Sequence, residues 1–126
     1  MRSINPVVIL ASFCALLLLS VPATAHHGWS WAEGETTELS GTIQEISFAP
    51  PHPSLTVEAD GEVWQIDLAN PRQTQRAGFV EGAAQPGDHV TILGNRSLDE
   101  TERLMKAVRI TIDGQNFDLY PERIGD

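Results

Sequence analysis

Two short alternating runs, Ser54 to Asp60 and Glu62 to Leu68, meet at Asp60-Gly61. Asp-Gly between alternating apolar residues is the strongest short-range hairpin signal, because a two-residue turn of matching twist needs positive φ at both positions. Such a turn pairs Val57 with Trp64 and Leu55 with Ile66, which puts the apolar side chains on one face. The chain is thereby committed to a sheet with one buried side. Asp113-Gly114 repeats the device, pairing Ile110 with Phe117 and Val108 with Leu119.

The remaining elements follow from local chemistry. Thr36 to Phe48 favours a strand, with Leu39, Gly41 and Ile43 on one face and Ile46 and Phe48 in the opposite phase. A phase change within one long strand predicts a bulge or strong coiling, and Gly41 would ease the bend. Ala49-Pro50-Pro51-His52-Pro53 has three residues without an amide donor, so it predicts a stiff, exposed loop. Asn70-Pro71 supplies an N-cap and a first helical residue, and Gly78 a stop, so residues 71–77 predict a short helix, with Phe79 closing against the core. Pro86-Gly87-Asp88 turns into a strand from His89 to Asn95 with Val90 and Ile92 inward. After a polar loop, Met105 to Ile112 forms a strand with Val108, Ile110 and Ile112 inward, and residues 121–126 end the chain as a polar tail. Three strands, a short helix, two strands and an added hairpin arm are the order of an OB-fold. The expected class is all-β with one short helix, folded as a small OB-like Greek-key barrel.

The first 25 residues read as a secretory signal. Arg2 is the positive end, Val7 to Leu19 the apolar run, and Ala23-Thr24-Ala25 a small-x-small cleavage site. The run is too short and wrongly flanked for a membrane span. Phe13 precedes Cys14 where a lipoprotein signal needs a small residue, so no membrane anchor is expected after cleavage. The expected division is residues 1–25 as cleaved signal and 26–126 as a single OB-like barrel domain, with 26–35 as an N-terminal tail. The expected location is periplasmic or secreted.

Composition then narrows the chemistry. Removing 25 residues from 126 leaves 101, enough for one modest core. The one cysteine, Cys14, leaves with the signal, which excludes disulfides and thiolate metal ligands. The signal takes one of eight basic residues and none of 17 acidic ones, so the charge moves from −9 to −10. That balance argues against nucleic acid as a partner and is compatible with a cation.

Cleavage after Ala25 would make His26 the N-terminal residue, with His27 beside it. An N-terminal histidine offers one metal two nitrogens, its α-amine and its ring Nδ1. A further imidazole would complete a T-shaped histidine brace, suited to copper, with zinc and nickel as alternatives. His52 on the stiff loop is the expected third ligand. Ten residues of tail reach about 30 Å when extended, against a radius of gyration of about 13 Å for such a domain, so the tail can return to the loop. His89 is expected to be a solvated side chain. Trp29 and Trp31 are expected to clasp the tail to the barrel, Trp64 to join the core, and Glu33, Glu35 and Glu38 to form a solvated acidic face. Asn95-Arg96-Ser97 matches a glycosylation sequon, a three-residue pattern common by chance.

These residues predict an exported copper-binding protein that carries, buffers or delivers the metal through His26, His27 or both, plus His52, with a periplasmic protein as a further partner. The alternative is a metal-free OB-type module that binds a protein, peptide or glycan. Third is a small copper oxygenase, disfavoured because no general acid stands out and little surface remains for a substrate platform.

Ala25-His26-His27, Ser40-Gly41-Thr42, Pro51-His52, Trp64 to Leu68, Asn70-Pro71 and Pro86-Gly87-Asp88 together resemble a family of small exported bacterial proteins known only as a domain of unknown function. The resemblance implies an exported β-barrel and no particular activity. Pro51 departs from the asparagine usual in that family, and the histidine after it is kept. At the N-terminal histidine alone, the chain also resembles exported copper carriers and copper oxygenases that use a histidine brace.

Overall fold

The structure, a computed structural model, describes residues 28–125. The expected signal segment, His26 and His27 lie outside the described residues. Among the described residues six strands form one sheet: β1 (Thr37–Ser47), β2 (Ser54–Ala59), β3 (Glu62–Asp67), β4 (His89–Arg96), β5 (Leu104–Ile112) and β6 (Gln115–Asp118). Helix α1 (Pro71–Arg76) lies between β3 and β4, and a 3-10 helix, Pro121–Arg123, follows β6.

The sheet closes on itself. Its order is β3-β2-β1-β4-β5-β6, and a parallel pairing of β3 with β5 joins the ends into a five-stranded barrel. Strand β5 gives one edge to β4 and shares the other between β3, at Leu104 to Lys106, and β6, at Arg109 to Ile112. This is the OB-like Greek-key barrel expected from the element order, with β6 as the extra arm.

The two hairpins sit in the expected register. Val57 faces Trp64, Leu55 faces Ile66, and Ile110 faces Phe117. Asp60 and Gly61 both take positive φ, 51° and 76°, as the tight turn requires. Asn70 caps α1 by accepting from the Gln73 amide at 2.8 Å. The register of β1 against β2 shifts between Ile43 and Glu45, which is the bulge that reverses the apolar phase. Gly41 has a second role besides easing a bend. A Cβ there would collide with the Glu58 carbonyl of β2, so the close approach of the two backbones itself demands glycine.

Buried Leu55, Val57, Ile66, Val90, Ile92, Met105 and Ile110 fill the barrel. Phe79 closes it as expected, stacked on Phe48 and set edge-on to Phe117. Val108, Ile110 and Ile112 are buried as expected. A bulge opposite Leu93-Gly94 leaves Val108 out of the pairing, so Met105 and Ala107 join Ile110 and Ile112 in the main core cluster while Val108 is buried apart from it. Lys106 consequently lies on the outer side of the barrel, between two core residues. Nor is the C-terminal segment a bare polar tail: Arg123 stacks 3.6 Å from the centroid of the Trp29 ring. Among the described residues, no helix is long and apolar enough to cross a membrane.

Candidate metal centre

The loop between β1 and β2 sets His52. Prolines 50, 51 and 53 restrict its backbone, and Pro53 is buried. The Pro53 carbonyl accepts from the Leu68 amide at 3.0 Å and from His52 Nδ1 at 3.1 Å. A carbonyl only accepts, so Nδ1 carries the proton of that bond, and the neutral ring keeps its lone pair on Nε2. Metal-binding histidines are commonly held in this way, with one nitrogen tied to a carbonyl and the other left for the ion. The loop is less open than its composition implies, since the His52 side chain is only 22% exposed.

Nε2 of His52 faces Asp67, the last residue of β3, at 3.8 Å from Oδ2. Asp67 is buried, and its other oxygen accepts from Gln65 Nε2 at 3.1 Å. The β3–β5 pairing sets Asp67 opposite Lys106, which is buried as well. Lys106 Nζ donates to the Gly28 carbonyl at 2.6 Å and lies 4.4 Å from the Trp29 ring and 5.6 Å from Tyr120. Burial lowers the Lys106 pKa, the Asp67 carboxylate opposes that shift, and Arg123 adds to it. Burial also raises the Tyr120 pKa, helped by Glu122 and opposed by Arg123. His52, Asp67, Lys106 and Tyr120 line one cleft of about 350 Å³ with Gly28, Trp29 and Pro51 on its walls.

The N-terminal tail is clasped to the barrel as expected of its tryptophans. The Trp29 ring lies between Lys106 and Arg123 and meets Tyr120 edge-on at 4.8 Å. Further along, Glu33 donates its amide to Arg96 at 2.8 Å and Leu98 donates to Trp31 at 2.9 Å. Asn95 Nδ2 reaches the Glu33 and Glu35 carbonyls at 2.9 and 3.1 Å. Asn95 is thus a buried brace for the tail, 1% exposed, and its sequon is closed to a glycan in the folded chain.

Of the three expected metal ligands, His52 is described, and it faces the cleft. His26 and His27 lie outside the described residues. His89 is exposed at the start of β4, opposite Thr42, and does not line the cleft. Among the described residues no three histidine, cysteine, aspartate or glutamate side chains gather as a ligand set. Sequence reasoning passed over Asp67, Lys106 and Tyr120. Two of them had a signal: Lys106 interrupts the apolar run Leu104 to Val108, and Asp67 interrupts Ile66 to Ala69. Charges set in apolar strands are rarely buried unless paired or used.

Residues 15–104 match DUF6152, a family of unknown function. The chain belongs to that family. The match takes in the His52 loop and Asp67, and it ends before Lys106 and Tyr120. No curated protein matches the chain.

Proposed function

We propose that the chain is an exported copper-binding protein that carries, buffers or delivers copper, held by His26, His27 or both together with His52. One observation carries the reading: Gly28, the residue after His27, lines the same cleft as His52. Two residues span at most about 7 Å of extended chain, so position 26 starts within reach of that cleft. The free lone pair on His52 Nε2 supports the same reading, as does the anchoring of Gly28 by Lys106. An N-terminal amine and imidazole would supply two nitrogens to copper, and His52 the third. Export, with cleavage after Ala25, is part of this proposal, because only cleavage there frees the His26 amine.

The test begins with the intact mass of the exported protein, which reports the cleavage site. Cu(II) is then titrated into that protein and into its His26→Ala and His52→Ala variants. Both variants should bind at least about tenfold more weakly. Unchanged affinity in both would end the proposal.

A second reading, a metal-free module for a protein, peptide or glycan, draws support from an apolar groove of about 270 Å³. Phe48, Pro53, Pro71, Phe79 and the exposed Val80 line it. Partner capture from periplasmic extract that ignores both chelator and the histidine variants would favour it.

A further inference from the structure

An apolar knob and an apolar groove stand at opposite ends of the β2–β3 hairpin. The knob is Leu98, 60% exposed in the loop between β4 and β5. That loop is braced. Leu98 donates its amide to the Trp31 carbonyl, Asp99 its amide to Ser97 Oγ, Thr101 its hydroxyl to Asp99, and Arg103 donates to the Glu100 carbonyl. A side chain held out in this way loses little freedom on docking. Exposed Asp99 and Glu100 follow it directly. The groove, of about 270 Å³, runs between Phe48, Phe79, Val80 and the Pro71 and Gln75 side of α1, with room for a leucine side chain. Arg72 and Arg76 are exposed beside Gln75, one helical turn apart, and among the described residues no carboxylate forms an ion pair with either. Glu81 also lines the groove, so carboxylates on an occupant are drawn to the α1 side.

One copy cannot fill its own groove. Pro53 and Pro71 flank the Ser54 and Asp67 end of the hairpin, whereas Arg103 ties the Leu98 loop to Glu62, at the other end of β3. Six residues of strand separate them, about 17 Å. We propose that the groove receives Leu98 of a second copy of this chain, with Asp99 and Glu100 of that copy set against Arg72 and Arg76. The contact is head-to-tail and joins two different surfaces, so it builds dimers and short chains. A single apolar anchor makes a small interface, with a Kd on the order of 0.1–1 mM. It requires no metal and stands apart from the copper reading.

The experiment uses two variants of protein that begins at His26, in chelator, each keeping one half of the contact. Leu98→Asp removes the knob and Val80→Glu blocks the groove, and both positions are exposed, so the barrel stands. Isotopically labelled Leu98→Asp is titrated with unlabelled Val80→Glu and followed by amide chemical shifts. The shifts should centre on Phe48, Thr74, Gln75 and Val80 and fit a one-to-one complex. Adding Arg76→Glu to the labelled copy should weaken binding at least about threefold, and adding Glu100→Lys to the unlabelled copy should restore it. Labelled Leu98→Asp titrated with unlabelled Leu98→Asp should show no shift. Shifts centred elsewhere, such as on the exposed Val63, or an affinity that ignores the charge exchange, would overturn the proposal. No shift up to about 1 mM would overturn it as well and leave the groove to a foreign partner.

Discussion

Replacing Lys106 by methionine should loosen the N-terminal tail and leave the barrel standing. The Lys106 ammonium donates to the Gly28 carbonyl at 2.6 Å and lies 4.4 Å from the Trp29 ring. A hydrogen bond from a charged donor contributes about 1.5–3 kcal/mol, and a partly desolvated cation–π contact about 1–2 kcal/mol. Gly28 is exposed, so its carbonyl turns to water once the donor is gone. Trp29 also keeps Arg123 at 3.6 Å and Tyr120 at 4.8 Å. These remaining contacts put the loss just below the low end of the sum, at about 2 kcal/mol, or a factor of about 30 in the docked-to-free ratio of the tail. For the barrel two effects oppose each other. Asp67 loses a nearby positive charge, while the burial penalty of the ammonium disappears, leaving global stability within about 1 kcal/mol of wild type. Amide hydrogen exchange reads both at once. The amides of Ala32, Glu33 and Leu98, bonded to the Trp29, Arg96 and Trp31 carbonyls, should exchange about 30-fold faster. Those of the β2–β3 hairpin should not change. Tail amides exchanging at the wild-type rate, or every amide accelerating together, would refute the clamp.

Gly41→Ala should lower the melting temperature by about 5–20 °C in a thermal scan. The new Cβ meets the Glu58 carbonyl, which β2 cannot withdraw, and overpacking of this kind costs about 1–3 kcal/mol. An unchanged melting temperature would show that β1 and β2 separate freely. Asp118→Asn should flatten the acid side of the stability curve. The Arg109 guanidinium donates to Asp118 and holds its carboxyl below the usual range. Its contribution is therefore present above about pH 4 and is lost as pH falls below that value. The pair is about one-third exposed, so the effect stays below about 1 kcal/mol. Urea unfolding between about pH 5 and pH 2 should lose less stability in the variant than in wild type, and parallel losses would contradict the assignment.

What was legible in the sequence was local. Asp60-Gly61 and Asp113-Gly114 set their hairpin registers because turn chemistry and alternation act within a few residues. Asn70-Pro71 started α1 for the same reason. The phase change in β1 announced its bulge, since Ile43 and Ile46 cannot share a face without one. Barrel closure is different: the pairing of β3 with β5 joins residues about forty positions apart and leaves no local mark. The bulge at Val108 is equally hidden, because it depends on how β4 meets β5 and not on the pattern within β5. It is also what turns Lys106 outward beneath the tail. In the candidate site the same division holds. His52 was legible because prolines on both sides stiffen its loop, and Trp29 because a pair of tryptophans in a polar tail must cover themselves. Asp67 and Lys106 showed only as charges interrupting apolar runs, since their placement together depends on two strands joined by closure.

The most direct test of the proposed copper centre is where the metal sits. One equivalent of Cu(II), added to isotopically labelled protein that begins at His26, should broaden the amide resonances nearest to the bound ion. The account predicts losses centred on Gly28, Trp29, His52, Asp67 and Leu68. Signals of the Asp113-Gly114 turn should survive, seven residues beyond Lys106 along β5 and so about 20 Å away. Broadening centred instead on Glu33, Glu35 and Glu38, or on His89, would contradict the account.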